Sequence, residues 1–580
     1  MPNRAHALLP AAFFLWAAWR VWTLYYARFR FVAITDPDAE DYAQIALQLF
    51  LGRGLQHTHG VWGALREVFF GTGLTSRTIP LCGLEYLRQT GGDPSGAANW
   101  PNLHRFPFMP LVEWGLFHLY GPTDRALSAA SGLFYVASVP FLYLLGRRVF
   151  GAWPAVLGAT LYLFSPLALG ASLSGLTEQA ASFFLIVVLL LLTGPRNRAA
   201  ILLAGLLWGV AFWNRYTTAL LALPFCVYLW VQDRSRGVGN AAVFLLAMAA
   251  AVAPEAVRNY RLAGDPLFSL TATLMLPYKS AVAPTIHWWY VPVYARGSDI
   301  LLAWPGPMLD KWRHELYCGW RYLPLTLGLQ HVYPFFVLSL FLRTESTRQH
   351  RLRCLAITLM VLHELTLPLL SNIVRYYAYL SPLLILLAAW AACVVARCVQ
   401  PLLVPVVARQ PYTALTVRAV PALLAFLVVA GPMVLGWIDL EGEPPKMVLT
   451  RSLVDTYRSH MQVVRALVPA DEVVLSNAPW SVAWRADRKS IPLPPGPSLV
   501  PFLSREYGVP VGAIYLTPRS VGAWEAAHAG AWEAVRTGDR EVAGFRLARR
   551  FADGAVLLLR ENTGGGHPPS ARSAHSAGTG

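Results

Sequence analysis

Apolar runs long enough to cross a bilayer recur from the N-terminus to about residue 437, and they leave this 580-residue chain few ways to fold. A hydrocarbon core takes roughly 20 helical residues to cross. Within it each backbone polar group must be satisfied inside its own segment, which selects helices. Runs near 7–28, 126–146, 153–171, 176–193, 199–213, 216–231, 239–256, 325–342, 355–370, 375–396 and 416–437 meet that test. They predict about eleven membrane helices. With 55% hydrophobic and 14% charged residues and a mean hydropathy of +0.43, the composition excludes a soluble core. The first run carries Arg20 and ends in bulky aromatics rather than a small-residue cleavage site, so it reads as a retained helix and not a removed signal peptide.

The net charge of +16 does not imply nucleic acid, because the arginines sit mainly in short connections between apolar runs. Arg147/Arg148, Arg196/Arg198, Arg234/Arg236, Arg343/Arg348/Arg351/Arg353 and Arg397/Arg409 mark alternate connections as cytoplasmic, together with Arg4. The expected division is a transmembrane domain over 1–437, with outer loops at 29–125 and 257–324. Short outer turns fall near Glu178, Arg215 and Asn372, and everything after Trp437 is extracytoplasmic. The fold class expected is therefore a mainly α polytopic bundle in the cytoplasmic membrane, carrying a small C-terminal α/β extracytoplasmic domain.

One stretch of the first outer loop stands apart. Asp36-Pro37-Asp38-Ala39-Glu40-Asp41-Tyr42 concentrates acid in a chain otherwise poor in it. Tyr42, Ile45, Ala46 and Leu49 repeat at helical spacing and predict one apolar face suited to the membrane surface or the bundle. Asp36 before Pro37 reads as an N-cap with proline at the first helical position, and Gly52 and Gly54 stop the run. Asp38 then falls in the first turn, where the helix dipole favours its ionised form. Glu40 and Asp41 read as charges facing water or an acceptor.

Other ionisable residues gather on the same predicted face: Arg105, Glu178, Arg215, Arg258 and Arg375. Such groups at a membrane edge are costly unless paired or functional. Carboxylates opposite arginines suggest a base working against a phosphate. Each has a structural alternative. Glu178 complements the dipole of its own segment, and Arg215, like Arg20, can snorkel to headgroups. His57 and His59 lack a third ligand for a metal. No cofactor is required by these residues, and a divalent cation is left open. The second outer loop is rich in aromatics and proline, as in His287-Trp288-Trp289-Tyr290 and Trp304-Pro305-Gly306-Pro307, which suits an interfacial belt or a platform for a sugar or lipid. Cys82 and Cys318 fall in the two outer loops and make a disulfide conceivable there, whereas Cys226, Cys354, Cys393 and Cys398 read as buried apolar residues.

Beyond Trp437 the pattern changes. Val473 to Ser476, Ala513 to Thr517 and Ala555 to Leu559 predict short buried strands, and Thr450 to Leu467 a helix. Residues 438–562 thus form the expected α/β domain, and 563–580 a disordered tail.

The order of these features resembles the GT-C fold glycosyltransferases that use a polyprenyl-phosphate sugar, the group holding the protein O-mannosyltransferases and the bacterial lipid A aminoarabinose transferase. The family's first outer loop opens with an acidic pair, a Tyr and an Ile-Ala helix, and Pro37-Asp38-Ala39-Glu40-Asp41-Tyr42-Ala43-Gln44-Ile45-Ala46 is similar. Arg105-Phe106-Pro107-Phe108-Met109-Pro110-Leu111 looks like a degenerate form of its basic residue before Pro-Pro-Leu. Tyr120-Gly121-Pro122, the turn from Leu145 to Gly151, Leu176-Thr177-Glu178 and the stretch from Arg258 to Phe268 follow in order. The resemblance covers the chain to about residue 400. By position, Asp38 falls on the family's catalytic aspartate, Arg215 near a lysine that contacts the donor phosphate, and Arg105 near another basic residue of the site. Ala39 departs from the acidic pair, and Asp41 stands where some members carry a basic residue.

The resemblance implies a single inverting displacement at the outer face of the membrane. Asp38 takes the proton of an acceptor hydroxyl on a lipid, glycan or protein, and Arg215, with Arg105 or Arg258, stabilises charge on the departing lipid phosphate. Glu178 orients the acceptor or a cation; Tyr42, Asp36 and Arg375 complete the expected substrate-binding set. A lipid or sugar carrier or flippase is the rival class, expected to place charge near mid-membrane and to pair broken helices. A cell-envelope polysaccharide polymerase or ligase is closer in chemistry.

Overall fold

The computed structural model describes residues 5–28, 34, 36–58, 100–102, 105–195, 197–263, 265–267, 302, 305–326, 330–370, 374–407, 426–427, 429–431, 451–493, 496–501, 510–518, 531–538 and 541–561. Helix α1 (Ala5–Arg28) forms the first apolar segment. Helix α2 (Pro37–Phe50) begins as the sequence predicts: the Asp36 side chain accepts from the Asp38 N–H at 2.9 Å and Pro37 occupies the first turn. Of the two settings that suit its apolar face, the membrane surface or the bundle, the structure shows packing against the protein. Every residue from Asp38 to Gln48 is buried, because α2 is covered by α3 (Phe108–Tyr120) on one side and by the C-terminal region on another.

The bundle continues through α4 (Asp124–Val149), α5 (Ala152–Leu163), α6 (Pro166–Leu173), α7 (Glu178–Leu192), α8 (Arg198–Asn214), α9 (Ala222–Gln232) and α10 (Gly237–Ala263). The run near 153–171 is two helices bent by 51°, with Ser165 capping the second and Pro166 opening it. After α10 come α11 (Pro305–Thr326), α12 (Tyr333–Phe341), α13 (Thr347–Thr366) and α14 (Ser381–Val407). Three boundaries differ from expectation. Part of the second outer loop is the long helix α11, and among its described residues the segment near 325–342 holds the end of α11, a 3-10 turn at Gln330–Val332 and the short α12. Arg375 lies in a 3-10 turn, Val374–Tyr377, ahead of α14 rather than inside a helix. Among the described residues four helices are long and apolar enough to cross a membrane, or five if the bent pair is one span. The expected segment 416–437 and the aromatic stretch 287–290 lie almost wholly outside the described residues.

Close packing is built from small residues. Gly205 and Gly209, four apart on α8, face α10: a Cβ on Gly205 would stand 2.3 Å from the Phe244 carbonyl oxygen, and one on Gly209 2.5 Å from Ala251 Cβ. Backbone approach of this kind is the usual route to helix association in lipid, where no hydrophobic force drives helices together.

The C-terminal region begins with α15 (Arg451–Leu467) and holds a five-stranded sheet. Its strands are β3 (Val473–Ser476), β4 (Lys489–Pro492), β5 (Val511–Leu516), β6 (Phe545–Arg550) and β7 (Val556–Arg560), in the order β4-β3-β5-β7-β6. The β3 pairings are parallel and the β5–β7 and β6–β7 pairings antiparallel. A separate two-stranded ladder joins β1 (Gln56–His57) to β2 (Trp100–Pro101), pairing two parts of the first loop.

The α8–α10 contact yields a direct test. Gly205→Val should force the helices apart and cost about 1–3 kcal/mol, the usual range for overpacking. It should appear as a lower melting temperature of the purified protein in detergent.

Candidate functional site

Helix geometry sorts the four carboxylates. Asp38 and Asp41 are three apart and share one face of α2, while Glu40 points elsewhere. Arg105 bridges the first pair, its Nη2 donating to Asp38 Oδ1 and its Nε to Asp41 Oδ2, both at 2.6 Å. The loop before α3 holds that arginine by a reciprocal clamp: Asn102 Oδ1 accepts from the Arg105 N–H at 2.9 Å, and Asn102 Nδ2 donates to its carbonyl at 2.8 Å. Arg375 approaches from the turn before α14, donating to Asp36 Oδ2 at 2.9 Å and to Asp38 Oδ2. Asp38 therefore carries an arginine on each oxygen. Tyr42, one turn further along α2, lies with its ring 5.5 Å from the Arg105 guanidinium carbon.

A second cluster adjoins the first. Arg215 has left α8 with extended backbone, φ −157°, and its Nη2 donates to Glu178 Oε1 at 2.7 Å while its Nε donates to Thr177 Oγ1 at 3.2 Å. Asn214 pins the same turn by donating to the Thr177 carbonyl at 2.9 Å. The ring of Tyr376 links the clusters, with Arg215 4.9 Å and Arg375 5.5 Å from its centroid. Among the described residues, Glu178 Oε2 and Arg375 Nε are buried without a hydrogen-bond partner, so each side retains capacity for another group. Arg258 is placed one step away, paired with Glu255 at 3.3 Å and donating to the Asn102 carbonyl, which ties it to the clamp on Arg105.

The structure thus gathers Asp36, Asp38, Tyr42, Arg105 and Arg375, and sets Glu178 with Arg215 beside them. Two expectations are corrected. Asp41 and Glu40 are 2% and 1% exposed and do not face water. Asp41 is taken up by Arg105. Glu40 accepts from Arg485 at 3.0 Å and from the Ser481 hydroxyl, both in the C-terminal region. Asn102, Thr177, Tyr376 and Arg485 are not among the residues the sequence singles out as site candidates.

Electrostatics divides the carboxylates further. Burial opposes the charge on Asp38, yet the guanidiniums of Arg105 and Arg375 outweigh it and hold the carboxyl below its ordinary range. Burial wins at Asp36, whose carboxyl is raised with Arg375 pulling the other way. Glu40 is pushed by burial up to about 7 against the pull of Arg485 and Ser481. Among the described residues no group of three or more His, Cys, Asp or Glu is placed to hold a metal ion. His57 lies in β1, and His59 and Cys82 fall outside the described residues.

A family model described as dolichyl-phosphate-mannose-protein mannosyltransferase matches residues 104–257. Among solved structures, the chain is similar to ArnT from Cupriavidus metallidurans bound to undecaprenyl phosphate, at 14% identity over 95% of this chain and 98% of that one, with a TM-score of 0.51. Its apo state gives 14% identity over 96% and 98% with the same TM-score of 0.51. The apo form of the Archaeoglobus fulgidus oligosaccharyltransferase aligns at 13% identity over 88% of this chain and 69% of that chain, with a TM-score of 0.53. Comparison with curated protein sequences gives no match. At such identities the structural likeness is one of fold.

The Arg215–Glu178 pair is testable without any substrate. Arg215→Met leaves the Glu178 charge buried and uncompensated, which should cost about 3–5 kcal/mol. Adding Glu178→Gln to that variant should recover much of the loss, measured as melting temperatures of the three proteins in the same detergent.

Proposed function

This chain is a membrane protein of the GT-C fold, and on that premise we propose that it is an inverting glycosyltransferase. It moves a sugar from a polyprenyl-phosphate donor to an acceptor hydroxyl at the outer face of the cytoplasmic membrane. The observation that carries the reading is Asp38, a buried carboxylate shared by two arginines with a third arginine, Arg215, just beyond Tyr376. A carboxylate among cations that belong to different elements is what transfer from a phosphate needs: one group to take a proton, others to hold an anion.

The chemistry follows from the charges. Arg105 and Arg375 are bridged by Asp38, Asp41 and Asp36. A lipid phosphate competes for the same guanidiniums, which bind phosphate oxygens as readily as carboxylate oxygens. As they turn toward it, Asp38 loses the charges that hold its carboxyl low and becomes a better base. The acceptor oxygen bonds to the anomeric carbon as the bond from that carbon to the phosphate oxygen breaks. The proton goes to Asp38 and the electron pair leaves with the lipid phosphate, whose charge the arginines stabilise. Glu178 holds Arg215 in place for that role, and Tyr42 and Arg258 support the Arg105 side. The same reading places 1–437 as the transferase domain and 438–562 as an extracytoplasmic domain over it.

Full-length protein in detergent, given radiolabelled polyprenyl-phosphate sugars and a membrane extract as acceptor source, should release free lipid phosphate and label an acceptor. Asp38→Asn should lower that rate by about 10²–10⁴, the span attributed to a general base. Full activity in a folded Asp38→Asn protein would remove Asp38 from the mechanism. Labelled donor that crosses the membrane intact, with no lipid phosphate released, would make the protein a carrier.

A further inference from the structure

The far side of α2 is held by a second ion cluster that takes no part in the chemistry above. Arg485 reaches out of the C-terminal region to Glu40 at 3.0 Å and to Asp124, the first residue of α4, at 2.9 Å, and donates to the Ile34 carbonyl just ahead of α2. Trp484 donates from its indole nitrogen to Asp124 at 2.9 Å and stacks on Phe117 of α3, with centroids 5.7 Å apart. Both side chains come from a single π-helical turn, residues 482–486, followed by Asp487 in the left-handed region at φ 49°. Such turns are uncommon and recur at functional sites, as do non-glycine residues held in that region.

The contacts continue along one stripe of α2. Glu40, Gln44 and Gln48 repeat every four residues. Gln44 Oε1 accepts from the Thr58 N–H at 2.8 Å, and the Thr58 carbonyl accepts from the Ser490 N–H of β4 at 3.0 Å. Gln48 donates to Asp487 at 3.5 Å. The C-terminal region therefore grips α2 along its length, on a stripe that adjoins the face presenting Asp38 and Asp41 to Arg105, and Gln44 joins the two by donating to Asp41 Oδ1 at 3.1 Å.

We propose that Arg485 is a positioning residue that fixes the rotation of α2, so that Asp38 and Asp41 meet Arg105 and Arg375 in register. One guanidinium ties the chain entering α2, the first turn of α2 and the first turn of α4, and it does so two residues from Asp38. This rests on the reading of Asp38 and its arginines given above. It has a consequence of definite sign. Neither Arg105 nor Arg375 is on α2, so releasing that helix weakens the carboxylates as competitors for both arginines. Lipid phosphate then binds more tightly while turnover falls.

The test uses the full chain in detergent with undecaprenyl phosphate as the probe, its affinity read by native mass spectrometry alongside transfer rate and melting temperature. Two variants guard against simple unfolding: Arg485→Lys, which keeps the charge but loses the fork, and the neutral triple change Glu40→Gln, Asp124→Asn and Arg485→Met, which leaves no uncompensated charge buried. Both should bind undecaprenyl phosphate several-fold more tightly than the wild type. Turnover should fall by about 100-fold, as expected for misplacement of a reacting group by 1 Å. A variant that melts like wild type with unchanged affinity and rate overturns the proposal, and so does one whose affinity falls together with its melting temperature, which is plain structural damage. Asp38→Asn tests the underlying reading separately. It should also tighten undecaprenyl phosphate binding, and if it leaves affinity and turnover unchanged the competition between carboxylate and phosphate is wrong at its source.

Discussion

Everything around the site depends on one carboxylate having two cationic partners. Asp38 is buried, and a buried charge is tolerated only when paired and hydrogen-bonded. Its partners arrive from separate parts of the chain, Arg105 from the loop ahead of α3 and Arg375 from the turn ahead of α14. Asp38 therefore joins three stretches that are remote in sequence. The arrangement is stable as it stands and open to exchange, because a phosphate offers both arginines the same kind of oxygen that the carboxylates do.

That exchange explains why the neighbourhood holds more acid than a single base requires. Asp36 and Asp41 give Arg375 and Arg105 second acceptors, so each guanidinium is bridged and aimed. Tyr376 lies between Arg375 and Arg215, and the cations approach one another across an aromatic ring instead of through empty space. Glu178 stands to Arg215 as Asp41 does to Arg105. The pattern is one of arginines held in place by carboxylates, which on the proposed function would yield them to an anion.

Much of the fold was legible because lipid imposes a coarse pattern on sequence. The start of helix α2 could be read to the residue from Asp36 and Pro37, and its end approximately from the glycines that follow, since capping is local chemistry. In the C-terminal sheet the three anticipated strands, β3, β5 and β7, are the central ones, with apolar residues buried on both faces. The two strands missed, β4 and β6, are its edges. Lys489-Ser490-Ile491-Pro492 and the arginine-rich Phe545–Arg550 carry the polar residues that edges tolerate, which erases the signal that hydropathy reads. The fate of Glu40 and Asp41 was illegible for another reason. A carboxylate looks solvated in sequence unless its partner is nearby, and the partner of Glu40 lies more than four hundred residues downstream.

The long range of that pair also says how α2 must be assembled. A 14-residue helix with three acids in its first five positions has little reason to be buried alone. Arg105 neutralises one face and Arg485 the other, and neither suffices, because the face left open would hold an unpaired carboxylate. Burial of α2 therefore requires the bundle and the C-terminal region together. Asp38 reaches its present geometry only when both are in place, which makes the site a product of the whole chain and not of the membrane bundle alone.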